Sequence, residues 1–151
     1  MNEEEIKAMF KNEPRFLGVF AINEVDSVRL KKDSGFVFNT SHRDVTSSGH
    51  WISIYKEKNG DVCLIDSLNL KFILDNHYII SFLKCNNINY VKTLVRAVQP
   101  SFSALCGIYC IYFIKCFLND ICVNDFVNIF DAKNLFVNDY LVSEYMMKAL
   151  K

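Results

Sequence analysis

The run Cys106-Gly107-Ile108-Tyr109-Cys110-Ile111-Tyr112-Phe113-Ile114-Lys115-Cys116-Phe117-Leu118 constrains the fold more than any other stretch. Lys115 is its one charge, and the remainder is apolar almost all round, so a helix formed here must be enclosed by other elements. A chain of 151 residues supplies one domain with a core of that kind and is too short for two comfortable ones. We therefore read 1–151 as one domain.

The helix opens on a cysteine. Unpaired N–H groups and the dipole at a helix start favour a thiolate, which makes Cys106 a candidate nucleophile. Pro100 and the small residues 101, 103 and 104 suit a tight loop before it. Across that loop Gln99 is positioned to return its side-chain amide to the thiol, where with the Cys106 N–H it would form a two-donor oxyanion hole. The competing reading is a structural cysteine on a core helix, with Gln99 closing a strand. Cysteines stand at 63, 85, 106, 110, 116 and 122, and for any one of six in an apolar chain the structural role is the commoner. Their spacing contains no Cys-x-x-Cys pair and matches neither a secreted disulfide framework nor a zinc site, so reduced thiols are expected, with no metal and no cofactor.

A nucleophilic cysteine needs a base, and the base needs an acceptor to orient it. His50-Trp51-Ile52-Ser53-Ile54-Tyr55 and Val62-Cys63-Leu64-Ile65-Asp66 are β-rich runs joined by Lys56-Glu57-Lys58-Asn59-Gly60-Asp61, a hairpin signal. A two-residue Asn59-Gly60 turn would set Asp66 opposite Ser53 and on the other face from His50. A three-residue loop, Lys58-Asn59-Gly60 with Gly60 left-handed, would pair Asp66 with Ile52 and make Asp66 and His50 diagonal neighbours on one face. The longer loop is predicted, on the condition that the two residues act together. Asp66 ends an apolar strand, where an unpaired carboxylate is costly, although capping the next turn would also occupy it. His42, in a Ser/Thr loop, and His77, in a helical region, are the rival bases. Trp51 is either core or a wall narrowing a groove beside His50.

The other elements follow from pattern. Residues 3 to 11 predict a short amphipathic helix ending before Pro14, 16 to 21 a short strand or irregular core segment, 35 to 40 a strand and 41 to 49 a loop. One or two helices are expected over 70 to 83, a turn at Asn86-Asn87, a strand from 91 to 98 that delivers Gln99, and two helices after Asp120. Lys plus Arg and Asp plus Glu total 17 each, so no global field draws the chain to nucleic acid or acidic lipid. The acidic start and the absence of an apolar run of ~18 residues give the expectation of a soluble intracellular protein with no membrane contact.

The ordered set is Gly-His-Trp, an acid sixteen residues after the histidine in Leu-Ile-Asp-Ser-Leu, then Gln-x6-Cys-Gly. With Phe16-Leu17-Gly18, Asn39-Thr40, Arg43 and Ser103-Ala104-Leu105-Cys106-Gly107-Ile108-Tyr109-Cys110, it resembles the adenovirus-type cysteine endopeptidases (adenain), relatives of the SUMO-specific proteases. The likeness covers roughly residues 15 to 118 and shifts the balance toward an active-site cysteine. It implies an α+β, papain-like arrangement in which a central helix bearing the nucleophile packs on a mixed sheet among surrounding helices. It also implies His50 as base, Asp66 as its orienting acid, Cys106 as nucleophile and Gln99 as oxyanion donor, with Gly49, Trp51 and Gly107 at the substrate.

The resemblance further implies viral precursor polypeptides as substrates, cut after glycine during virion maturation in the host nucleus or particle by a monomer. Asp66 departs from the glutamate of the adenoviral enzyme and matches the SUMO-protease branch, and this chain is shorter at its C-terminus. An activating viral peptide is a further partner raised by the resemblance, with Cys85 one option for joining it; balanced charge argues against strong nonspecific DNA affinity. The alternatives are a protease removing ubiquitin-like modifiers and a catalytically silent binding module of the same fold.

Overall fold

The computed structural model describes residues 1–45 and 49–150; residues 46–48 of the expected 41–49 loop lie outside the described residues. The architecture is α+β, with a five-stranded mixed sheet in the order β1-β2-β3-β4-β5 and helices on both faces. The strands are β1 Phe16–Ala21, β2 Ser34–Asn39, β3 Trp51–Lys56, β4 Val62–Ile65 and β5 Val91–Lys92. The helices are α1 Glu3–Ala8, α2 His77–Cys85, α3 Cys106–Leu118, α4 Val123–Ile129 and α5 Leu135–Ala149, with 3-10 turns at Ile22–Ser27 and Lys71–Asp75.

Period-two alternation sorts the strand side chains into two cores. Val37, Tyr55, Cys63 and Ile65 face α3, whose Tyr109, Cys110, Ile111, Phe113, Ile114 and Phe117 are buried. Phe36, Phe38, Ile52, Ile54, Val62 and Leu64 face the other way, onto Ile22, Val25, Ile79 and Phe82. The enclosure expected for the apolar helix is thus met by the sheet on one side and α1 and α5 on others.

The β3–β4 register is the one the longer loop requires. Ser53 pairs with Ile65 and Lys56 with Val62, and continuing the register one step sets Asp66 level with Ile52. The turn closes through Gly60 N–H to the Glu57 carbonyl (2.9 Å) and Glu57 N–H to the Asp61 carbonyl (2.8 Å). Gly60 has φ +95°, a conformation that a Cβ penalises.

The structure resolves two open expectations and corrects a third. The 16–21 segment is a strand parallel to β2, with a register shift between Phe16 and Val19 at Gly18 (φ +132°), and the 22–33 connection crosses over the sheet and buries Ile22, Val25, Val28 and Leu30 against it. Residues 70–85 break at Asn76, whose side chain caps α2 by accepting from Tyr78 N–H. The strand expected over 91–98 stops after Lys92. Its later N–H groups go elsewhere: those of Val98 and Gln99 both donate to the Ser67 carbonyl (2.9 and 3.0 Å), so a loop rather than a strand delivers the glutamine.

Candidate active site

The site forms where the end of the β3–β4 hairpin meets the start of α3. His50 directly precedes β3 and Asp66 directly follows β4, both with the parity of Ile52 and Leu64, so the register alone sets them on one side. His50 Nε2 lies 2.5 Å from Asp66 Oδ1. Asp66 is 4 % exposed and held by its own turn: Oδ1 accepts the Leu68 N–H and Oδ2 the Leu70 N–H, each at 2.9 Å. Its carboxylate therefore orients the imidazole and caps the turn at once, uniting the two roles the sequence left open.

The same imidazole lies against the Cys106 thiol, and each shifts the other. For His50, burial opposes the charged form, but the Asp66 carboxylate and Cys106 outweigh it and lift the imidazole from 6.5 to about 9. For Cys106, burial again favours the neutral form. It is overcome by His50, by the backbone N–H groups of Trp51 and Gly107, and by the imidazolium charge, which together hold the thiol below its ordinary 9.0. Cys106 is the first residue of α3, where no side chain caps the free N–H groups, so the helix start is open toward an anion. Opposite shifts in two neighbouring groups favour the thiolate–imidazolium form of the pair over the neutral one.

The rival bases stand apart from this pair. His42 packs edge-on against Tyr78 at 5.5 Å and His77 lies 4.0 Å from the same ring. The other buried thiols are tuned the opposite way: burial pushes Cys110 and Cys63 well up and Cys116 to about 11.

Gln99 is 1 % exposed, with its amide fixed on the loop that ends at Cys106: Nε2 donates to the Ser103 carbonyl (2.7 Å) and Oε1 accepts the Ser67 hydroxyl (2.5 Å). One amide hydrogen is thereby used and a second remains. The structure thus brings His50, Asp66 and Cys106 together and anchors Gln99 on the nucleophile's own loop. Trp51 is half-buried, and its indole N–H donates to the Met1 carbonyl (3.2 Å). A Cβ built on Gly107 would sit 3.2 Å from Met1 Cβ and 3.3 Å from Trp51 Cδ1, so glycine there permits a close approach over the helix start. Gly49 joins Trp51, Met1, Asn39 and Arg43 in lining a cleft of about 250 Å³, and a Cβ on it would collide with the Asn39 amide oxygen.

Sequence reasoning assigned no site role to Ser67 or Ser103, whose hydroxyl and carbonyl hold Gln99, nor to Met1, which meets Trp51. Ser67 had one weak signal, a polar residue following an acid at the end of an apolar strand. Among the described residues, no three or more His, Cys, Asp or Glu side chains are grouped to hold a metal ion, and no helix is long and apolar enough to cross a membrane. Comparison with protein-family models finds no match, and neither does comparison with the curated proteins.

Proposed function

We propose that this chain is a cysteine endopeptidase of the adenain type, with a papain-like arrangement of nucleophile helix and sheet. Its substrates are viral precursor proteins cut after glycine during virion maturation, in the host nucleus or particle. The observation that carries the reading is the alignment of Asp66, His50 and Cys106, with the imidazole raised and the thiol lowered in the same contact.

In the reaction Cys106 Sγ attacks the carbonyl carbon of the scissile glycine. Negative charge moves to the carbonyl oxygen, where the Cys106 N–H and the unused Gln99 amide hydrogen receive it. His50 gives its proton to the leaving nitrogen, the C–N bond breaks, and a thioester remains on Cys106. Water then attacks the thioester carbon while His50 takes its proton; the S–C bond breaks, releasing the glycine carboxylate and restoring the thiolate. Asp66 holds the imidazole in register throughout and does not take up the proton. Trp51 stands close over Gly107 at the start of the nucleophile's helix, which supports its role as a wall beside the scissile glycine.

The test is cleavage of short Gly-Gly-X peptides beside a folded ubiquitin-like fusion, with Cys106→Ala as control. Peptide cleavage after glycine, lost in Cys106→Ala, supports the proposal. Cleavage of the folded fusion alone shifts the assignment to modifier removal, the branch whose acid Asp66 matches. Cleavage of neither, with uniform slow alkylation of all six cysteines, leaves a silent binding module.

A further inference from the structure

Gln99 is a primary amide, and such a group is useful at an oxyanion only in one of its two flips: the NH2 end attracts the developing charge and the C=O end repels it. Something must fix the flip. The Ser67 hydroxyl donates to Oε1 at 2.5 Å, while the Ser103 carbonyl accepts from Nε2 at 2.7 Å. The reversed amide would set its oxygen against the Ser103 carbonyl, which accepts only, so that carbonyl selects the flip; the Ser67 hydroxyl then anchors the other end of the amide and holds it in place. Ser67 also grips the backbone, since its carbonyl accepts the N–H groups of Val98 (2.9 Å) and Gln99 (3.0 Å). Ser67 is itself 1 % exposed, so it reaches no substrate.

We propose that Ser67 is a positioning residue of the oxyanion hole, fixing the Gln99 amide so that its second hydrogen is presented to the charge formed by Cys106 attack. Ser67 follows Asp66 directly, so one turn orients the base through one residue and the oxyanion donor through the next. Acid–base and oxyanion halves of the site then share a mount, and a shift of the β4 end misaligns both. The assignment rests on the cysteine-hydrolase reading.

Gln99 is the only glutamine in the chain, which allows a test independent of turnover. Protein labelled with ¹⁵N-glutamine gives one side-chain NH2 pair. In the native chain that pair is well dispersed and slow to exchange with water. In Ser67→Ala it moves toward the values of a free glutamine, and its exchange quickens at least ~10-fold as one buried lock is lost. On a Gly-Gly-X peptide, Ser67→Ala lowers kcat about five- to tenfold, the scale of one neutral hydrogen bond, with KM within about twofold. The pH profile of Cys106 alkylation does not move, because the His50–Asp66 contact is untouched. Added to Gln99→Ala, the Ser67→Ala change costs less than about twofold more, since its effect passes through the amide already removed. If the alanine variant folds poorly, Ser67→Cys keeps a weak donor of similar size and gives an intermediate amide spectrum and rate. An unchanged Gln99 amide pair in Ser67→Ala, or losses that add in the double variant, overturns the proposal. A native protein that cleaves nothing defeats the hydrolase reading instead, while the amide spectrum still decides whether Ser67 holds Gln99.

Discussion

Replacing Asp66 by asparagine removes one charge and almost no volume, so its effect isolates what the carboxylate does for His50. Asp66 Oδ1 serves His50 and the Leu68 N–H, and Oδ2 serves the Leu70 N–H. Asparagine offers one acceptor oxygen for these three donors, so at least one contact becomes donor against donor. The rise of His50 from 6.5 to about 9 is worth roughly 3 kcal/mol at about 1.4 kcal/mol per pH unit. Asp66 and Cys106 supply it together against burial. The Asp66 hydrogen bond is the largest of the influences that raise the imidazole, so its loss costs on the order of 2 kcal/mol, or a ~10- to 30-fold loss of the thiolate–imidazolium form. Asp66→Asn therefore alkylates Cys106 with iodoacetamide ~10-fold or more slowly at neutral pH, and the rise of that rate with pH moves toward that of an ordinary thiol. Peptide mass spectrometry at Cys106 across pH 5 to 10 reads both, with His50→Ala marking the full loss. Superimposable profiles for Asp66→Asn and the native chain would refute the claim that this carboxylate tunes the pair.

Four further outcomes are expected. In the native fold Cys106 labels first near neutral pH, ahead of exposed Cys85, while Cys63, Cys110 and Cys116, all buried and pushed up, wait for unfolding. Peptide cleavage rises with pH as Cys106 ionises below its ordinary 9.0, then falls through about 9 as His50 gives up the proton the leaving group needs; a rate still climbing at pH 10 would contradict this. Gly60→Ala meets no atom closer than Lys32 Cε at 3.7 Å, so its cost is that of φ +95°, about 1 kcal/mol or more, read as a Tm drop of roughly 2 to 4 °C. Trp51→Ala removes the indole that stands against Gly107 and relaxes the preference for glycine over alanine beside the cut, measured as a narrowed ratio of kcat/KM for the two peptides.

What could be read directly from the sequence was what neighbouring residues decide among themselves. The apolar circumference of 106–118 required an enclosed helix, its opening cysteine stood at the dipole's positive end, and the hairpin's three-residue loop followed from asking which register lets Asp66 serve His50. Turn chemistry and side-chain period act over a few residues, so they leave a trace in order and spacing.

The tertiary structure decided the rest. It ended β5 after two residues, tied the Val98 and Gln99 N–H groups to the Ser67 carbonyl, and laid Met1 on Trp51, fifty residues away. It also anchored the Gln99 amide on a hydroxyl 32 residues upstream. These contacts depend on which surfaces meet when the sheet, α3 and the chain ends close on one another. No local period records such meetings, so only the packed chain shows them.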